Sequence, residues 1–364
     1  MKLILEYVWL DGRLHLRSKY KTIDWQLPRA FTLEDVPTWN YDGSSTFQAN
    51  TDQSEIILSP VALYKNPFFQ NRLDPSFLVL CDTYTQLNNG LAPTPSNHRF
   101  WTRQRFENKN DQNDQLEPWF GIEQEYFMMD STGHVPLAFN TDDNNALPVL
   151  QGEYYCAVGT QNVQERALAE QHYQYCLYAG LTISGINAEV APSQWEYQIG
   201  PCTGIDSGDE VWMSRYILQK VAETYHVVIS FQPKPLPNPW NGSGLHTNFS
   251  TAPTRASGGL TVIHSYINQL QPVHHAHLAV YGDNSQRLTG VCETSDPNVF
   301  SCGYGHRGCS IRIPNETLQR GMGYFEDRRP ASDADPYQVT GILFATITGP
   351  RPEPALLTPA KQKQ

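Results

Sequence analysis

One strand-like segment constrains this chain most strongly, because it alternates apolar and acidic side chains. In Trp119–Met128, the apolar residues alternate with Glu123 and Glu125. Neighbouring side chains on a β-strand point to opposite faces of the sheet, so both carboxylates would lie on the same face. Two such carboxylates raise each other's pKa unless a cation joins them. The segment therefore predicts either a half-buried strand with a solvated acidic face or part of a cation site.

Three further segments have the same property. A tight reversal at Ala191–Gln194 would return Glu196 alongside Glu189. Alternation would also group His246 with Asn248 and Ser250, and Tyr324 with Glu326 and Arg328. A histidine on a strand is, taken alone, most often only hydrogen-bonded. Five glutamates and one histidine on strand faces nevertheless favour hard divalent cations such as Mg²⁺ or Mn²⁺, and the set has no thiolate to favour zinc.

Arginines supply the positive charge over the second half of the chain. No lysine lies between Lys234 and Lys361, and the arginines of that stretch are Arg255, Arg287, Arg307, Arg312, Arg320, Arg328, Arg329 and Arg351. Arginine holds phosphate and carboxylate groups through two N–H groups and keeps its charge. Carboxylates, divalent cations and arginines together are typical of phosphoryl transfer. A solvated arginine-rich surface is the alternative interpretation of the arginines alone.

Composition disfavours several classes of protein. The 26 Lys and Arg residues against 37 Asp and Glu residues give a net charge of −11, which disfavours a nucleic-acid partner. No run of eighteen apolar residues predicts a membrane span. Seven cysteines without a C-x-x-C pair favour reduced thiols over a disulfide framework. The opening residues do not form a signal-peptide pattern, so we predict a cytoplasmic enzyme with no membrane partner.

A length of 364 residues suits two domains. Residues 1–95 are predicted to form short strands separated by turns, and prolines and charges then mark a boundary. We therefore predict one domain over 1–95 and a second over 96–364, in which 350–364 is a flexible tail. Helices are predicted over Val163–Ala179, after a capping box at Ser207–Glu210, and within Leu260–His277.

Taken together, these segments resemble the glutamine synthetase family, in its shorter, eukaryotic-like type II form. The matching stretches follow the family's order over nearly the whole chain: Trp39–Thr46, Trp119–Tyr126, Asn187–Val190, Gln194–Ile199, Trp240–Gly244, Arg287–Gly290, Ser310–Pro314 and Tyr324–Pro330. The resemblance implies an α+β fold, in which a β-grasp-like N-terminal domain precedes a catalytic domain with a curved antiparallel sheet flanked by helices. It also implies ATP-dependent ligation of ammonia to the γ-carboxylate of L-glutamate through a γ-glutamyl phosphate.

The resemblance implies residue roles by position. One divalent cation, Mg²⁺ or Mn²⁺, would be held by Glu125, Glu189 and Glu196, and another by Glu123, His246 and Glu326. ATP would contact Trp119, Glu196, Asn248, Ser250, Arg307, Arg312 and Tyr324, and glutamate would contact Trp240, Gly242, Arg287, Arg307 and Arg328. Ammonium would be bound by Asp42, Ser45, Tyr155 and Glu293. Asp42, the flap residue Glu293 and Arg307 are the implied catalytic residues.

Some positions depart from the family pattern, namely Glu153, Pro239, Cys292 and Asn315, and the loop Tyr281–Gln286 is slightly short. None of these positions is an implied metal ligand. Two alternatives follow. One is a γ-glutamyl ligase for a larger amine, although an intact Asp42 and Glu293 favour free ammonia. The other is a non-catalytic relative, which would have no use for six converging metal ligands.

The resemblance also predicts assembly. Asp42 lies in the predicted small domain, whereas every implied metal ligand lies in the large one. In the family, the small domain of one subunit covers the sheet of the next within a ring, usually as two stacked pentamers. We therefore expect a homo-oligomeric ring, a decamer, in which Asp42 completes a neighbour's site and head-to-tail contacts close on themselves.

Overall fold

The computed structural model describes residues 1–70, 75–88, 90–107, 116–138, 153–236, 240–291 and 294–349. Two compact units divide these residues. The first consists of the described part of Met1–Gln104 together with Tyr175–Leu181, and the second of the described part of Arg105–Gln174 and Thr182–Pro359. The predicted tail 350–364 and the positions Pro239, Cys292 and Glu293 lie outside the described residues.

Among its described residues, the first unit contains a sheet of six strands. They are β1 (Lys2–Leu10), β2 (Leu16–Asp24), β3 (Trp39–Asp42), β4 (Glu55–Lys65), β5 (Ser76–Leu87) and β6 (Gly90–Pro93). The order is β2-β1-β5-β4-β3, with β6 beside β5, and only the β1–β5 pair is parallel. Leu5, Tyr7 and Trp9 alternate along β1 and form a core with Leu58 and Val79. The predicted series of strands is confirmed, but four of the six strands are nine to twelve residues long rather than short.

The second unit contains a sheet of eight strands within the part of the chain that the structure describes. They are β7 (Trp119–Met129), β8 (Ile183–Ala188), β9 (Gln194–Thr203), β10 (Val228–Ser230), β11 (Leu245–Ser250), β12 (Cys302–Tyr304), β13 (Ile311–Ile313) and β14 (Phe325–Asp327). The order is β12-β13-β14-β11-β7-β9-β8, with β10 beside β7.

The α+β class is confirmed, and the second sheet is antiparallel as predicted except for one pair of strands. Strands β12 and β13 are parallel, whereas the other pairs of this sheet are antiparallel. The link 305–310 returns the chain to the start of β12 instead of reversing it as a hairpin would. The sheet is therefore mixed.

The α-helices of the described residues are α1 (His98–Glu107), α2 (Arg166–Ala179), α3 (Asp206–Tyr225), α4 (Ala252–Arg255), α5 (Gly259–Leu270), α6 (His274–Leu278), α7 (Asn315–Arg320) and α8 (Pro336–Thr348). Helix α2 ends as predicted at Gly180, whose φ of +93° suits glycine. The capping box is wrong: α3 begins at Asp206, and the Ser207 hydroxyl donates to the Gly204 carbonyl at 2.7 Å.

Helix α3 packs closely against α8. A Cβ atom on Gly208 would lie 2.3 Å from Tyr337 Cδ1, so this crossing requires glycine. The Trp212 indole donates to Asp335 Oδ1 at 3.1 Å.

Searched over the described residues, the helices include none with the length and apolar character needed to cross a membrane. No disulfide joins any two of the six described cysteines.

Candidate active site

Three glutamates converge at the centre of the second sheet. We call Glu125, Glu189 and Glu196 the first cluster; one carboxylate oxygen from each lies within 4.8 Å of the others. Glu125 on β7 is directly opposite Glu196 on β9. Glu189 follows β8, and its backbone N–H donates to the Gln194 carbonyl at 2.9 Å. This hydrogen bond closes the reversal that the sequence predicts at Ala191–Gln194, so that prediction is confirmed.

Beside it lies a second cluster, formed by Glu123, His246 and Glu326, whose ligand atoms also lie within 4.8 Å of one another. Register pairs His246 on β11 with Glu123 on β7. His246 Nδ1 is 3.5 Å from Glu123 Oε2, 3.6 Å from Glu326 Oε1 and 3.8 Å from Glu125 Oε1. The two clusters therefore adjoin, and they have the same members as the two ligand sets that the resemblance implies.

Burial and mutual repulsion control the protonation of these groups. Burial and the charge of Glu189 raise the pKa of Glu125 to about 8. Burial also raises the pKa of Glu189, and burial with the neighbouring carboxylates raises that of Glu196 well above its usual value. The pKa of His246 is lowered well below its usual value by burial and by Arg328. Carboxylates in this setting ionise fully only when a cation joins them, and a neutral imidazole is free to act as a ligand.

Arginines surround the second cluster. Glu326 accepts from Arg312 Nη1 at 3.1 Å and from Arg328 Nη1 at 2.6 Å. Arg287 is buried, its Nη2 contacts His246 Nε2 at 3.2 Å, and burial lowers its pKa to about 10. Arg307 is exposed; its charge partly opposes the burial that raises the pKa of Glu189 and adds to the burial that lowers the pKa of His246. The structure thus brings the four predicted arginines to the clusters.

Two hydrogen bonds that the sequence did not predict hold the Glu125 carboxylate in place. The Gly244 backbone N–H donates to Glu125 Oε2 at 2.7 Å, and Gln194 Nε2 donates to the same oxygen at 3.4 Å. A Cβ atom on Gly244 would lie 2.5 Å from Arg287 Nη2 and 2.7 Å from His246 Nε2. Only glycine therefore allows the backbone to approach the cluster so closely.

A cavity of about 480 Å³ adjoins the second cluster, and Glu123 is part of its lining. Four of the seven predicted ATP contacts line it, namely Trp119, Asn248, Ser250 and Tyr324, whereas Glu196, Arg307 and Arg312 are not part of its lining. Asn248 Nδ2 donates to Glu123 Oε1 at 2.8 Å. Arg255, one of the arginines of the second half of the chain, lies 3.8 Å above the Trp119 ring and donates to Ser250 Oγ at 3.0 Å.

The remaining predicted residues of the second unit occupy different settings. Trp240 is 3% exposed and packs in a core cluster with Phe127 and Tyr154. The Gly242 carbonyl accepts from Gln194 Nε2 at 3.2 Å. Tyr155 is half exposed, and burial, Cys156 and the charges of the first cluster raise its pKa. Tyr155 and Gly242 therefore lie near the first cluster, whereas the indole of Trp240 belongs to the core.

Asp42, the last residue of β3, and Ser45, in the turn that follows β3, belong to the first unit. Asp42 accepts from the Ser44 backbone at 2.9 Å, from the Ser44 hydroxyl at 2.7 Å and from Ser45 Oγ at 3.4 Å. These hydrogen bonds, led by that of the Ser44 hydroxyl, lower the pKa of Asp42 and keep it ionised. The predicted flap residue Glu293 lies outside the described residues.

Comparisons with known proteins agree on one family. A family model described as the catalytic domain of glutamine synthetase matches residues 101–363. The chain is 49% identical to a glutamine synthetase of Tuber borchii, over 95% of this chain and 92% of that protein. It is 48% identical to a glutamine synthetase of Saccharomyces cerevisiae, over 96% and 90%. A cryoEM structure of Plasmodium falciparum glutamine synthetase shares the fold, with a TM-score of 0.71 and 14% identity over 94% of this chain and 71% of that one.

Proposed function

Because the chain belongs to the glutamine synthetase family and makes glutamine from glutamate, ammonia and ATP, we propose that its two carboxylate clusters hold the divalent cations of that reaction. One observation carries the proposal: six side chains form two groups whose ligand atoms lie within 4.8 Å of one another. Carboxylate oxygens with one imidazole fit Mg²⁺ or Mn²⁺, our proposed ions. The raised pKa values in the first cluster also fit groups that await a cation.

We propose that the arginines around the clusters bind the anionic groups of both substrates. Arg307 and Arg312 would contact the transferring phosphate, and Arg287, Arg307 and Arg328 the carboxylates of glutamate. The Nε atoms of Arg287 and Arg312 are buried and have no hydrogen-bond partner among the described residues, which supports this role. The cations, when bound, would neutralise negative charge on the phosphate as it transfers.

For ATP, we propose the cavity lined by Trp119, Asn248, Ser250 and Tyr324. Its lining combines apolar side chains, which suit a base, with polar ones that can orient it. Glu123 belongs both to this lining and to the second cluster, so a nucleotide bound in the cavity would reach the cluster. The predicted ATP contact of Glu196 would come from the first cluster.

We propose that the γ-carboxylate of glutamate is phosphorylated and that ammonia then displaces the phosphate from the γ-glutamyl phosphate. Asp42, Ser45, Tyr155 and Glu293 would bind ammonium, and Asp42 would take its proton. The hydrogen bonds that keep Asp42 ionised support this role, because an ionised carboxylate attracts ammonium. Trp240 and Gly242 remain proposed glutamate contacts.

An amine screen tests the proposed substrate choice. Protein stripped of metal would be supplied with ATP, glutamate and Mg²⁺ or Mn²⁺, and with ammonium, methylamine or a polyamine in turn. We expect glutamine and phosphate with ammonium only, and no phosphate release without glutamate or without the cation. A product with methylamine or a polyamine but none with ammonium would instead identify a ligase for larger amines.

We further propose a homo-oligomeric ring, a decamer of two pentamers, in which Asp42 of one copy completes the site of the next. The location of Asp42 in the first unit and of all six proposed ligands in the second supports a site shared between copies. We also propose the domain division at residue 95 and a cytoplasmic location. The first compact unit supports the division, since it comprises the described part of Met1–Gln104 with one short further segment, Tyr175–Leu181.

A further inference from the structure

Gln124 lies between Glu123 and Glu125, which belong to different clusters. Since side chains alternate along a strand, the Gln124 side chain points to the face of β7 opposite the clusters, which we call the back face. It is fully buried there. Its Nε2 donates to the Glu125 carbonyl at 2.8 Å and to the Ser332 carbonyl at 3.0 Å, and its Oε1 accepts from Arg215 Nε at 2.8 Å. Both ends of this amide are therefore fixed.

Arg215, on α3, is the residue that donates to the Gln124 side chain. It is 2% exposed, and its Nη2 donates to the Ser332 carbonyl at 2.9 Å and to the Ala334 carbonyl at 3.0 Å. Its guanidinium also lies 4.6 Å from the Trp212 ring. Burying a guanidinium against neutral oxygens is unfavourable unless its hydrogen bonds are well formed. These contacts tie α3, the segment 332–334 and β7 together at one point.

We propose that Gln124 and Arg215 are positioning residues that fix the spacing between the two metal clusters. The inference rests on the function proposed above for those clusters. Each neighbour of Gln124 supplies a ligand to a different cluster, so a shift of β7 at this residue displaces one ligand in both. Loss of the Gln124–Arg215 contact therefore weakens both cation sites together.

A second buried arginine provides a matched control. Arg329 is fully buried, and its Nη2 lies 2.6 Å from Asp327 Oδ2 at the end of β14. The ligand contributed by β14 is Glu326, which belongs to the second cluster. A substitution of Arg329 removes a comparable buried contact, but it disturbs only β14, which supplies a ligand to the second cluster and none to the first. The two arginines therefore predict different patterns of lost cation binding.

The test measures Mn²⁺ binding to the full-length, metal-stripped protein by electron paramagnetic resonance of the free ion. Two variants show which Mn²⁺ dissociation constant belongs to which cluster: Glu189→Gln should weaken binding at the first cluster, and Glu326→Gln at the second. We expect Arg215→Lys and Gln124→Met to raise both dissociation constants by about tenfold, and Arg329→Lys to raise only that of the second cluster. Unfolding midpoints measured in parallel report stability separately from binding.

Each outcome is decisive. If Arg215→Lys and Gln124→Met are folded and bind both ions as the wild type does, or lose binding at only one cluster, the positioning role is wrong. If stability falls while both affinities hold, these residues are only structural. Should Arg215→Lys fail to fold, the nearly isosteric Gln124→Met decides alone. A wild type that binds no Mn²⁺ contradicts the proposed function itself rather than the positioning role.

Discussion

Glu125 on β7 and Glu196 on β9 lie directly opposite each other on a pair of antiparallel strands, and both are buried. Glu189 approaches the same point from the reversal after β8. Three buried carboxylates in such proximity repel one another unless protons or cations neutralise them. We therefore expect these three carboxyl groups to lose protons when they bind a cation.

Cation binding should release protons. The pKa of Glu125, raised to about 8 by burial and by Glu189, leaves this group largely protonated in the metal-free protein at pH 7. A cation must displace that proton, so the apparent Mn²⁺ affinity should rise as pH rises from 7 towards 8. Calorimetric titrations in two buffers with different ionisation heats measure the protons released. Glu125→Gln should release fewer, and equal release by both proteins would contradict the prediction.

Acid should destabilise the fold through His172. Burial lowers the pKa of His172 to about 3, and its Nε2 contacts Ser214 Oγ at 3.0 Å. Because the unfolded chain binds this proton near pH 6.5 and the folded chain does not, stability is lost as pH falls below about 6.5. Between pH 7 and pH 5 this group should lower the free energy of unfolding by about 2 kcal/mol.

Urea unfolding at the two pH values measures the effect. His172→Gln should show a smaller loss between pH 7 and pH 5, because it removes the titrating group. The control His134→Gln changes an exposed histidine and should keep the wild-type loss. If the losses of His172→Gln and wild type coincide, the assignment to His172 is wrong.

Gly244→Ala should abolish most activity without unfolding the protein. The new Cβ would meet Arg287 Nη2 at 2.5 Å and His246 Nε2 at 2.7 Å, and it would displace His246 of the second cluster together with the Arg287 side chain beside it. We expect kcat/KM to fall on the order of 10²-fold, similar to the loss of one well-placed electrostatic group. Gly349→Ala is the control, since its nearest neighbour would lie 3.9 Å away. Equal activity of the two variants would refute the steric argument.

Much of this site could be predicted from the sequence because strand alternation is a local property. The period of two groups Glu123 with Glu125, and a four-residue turn returns Glu196 to Glu189. Contacts between distant segments could not be predicted in this way. Gln124 and Arg215 are 91 residues apart, and their contact depends on how α3 packs behind β7. The capping box failed for a local reason instead, since Ser207 lies inside α3 and its hydroxyl donates back to the Gly204 carbonyl.

Subunit mixing tests whether sites are shared between copies. Asp42→Ala and Glu326→Ala subunits should each be inactive alone, because one lacks the proposed proton acceptor and the other a proposed metal ligand. Mixed rings should regain part of the wild-type activity, since some interfaces combine an intact Asp42 with an intact Glu326. The measurement is glutamine formation after subunits are mixed and reassembled, with ring composition verified by native mass spectrometry. An active monomer, or mixed rings without activity, would overturn the shared site.

The most direct test of the central claim is the anomalous diffraction of Mn²⁺ in crystals of the active protein. The account predicts one peak among Glu125, Glu189 and Glu196 and another among Glu123, His246 and Glu326, because these two groups offer convergent ligands. Glu189→Gln should weaken the first peak, and Glu326→Gln the second. Enzyme that makes glutamine with Mn²⁺ under the same solution conditions, but shows no peak at either cluster, would contradict the account.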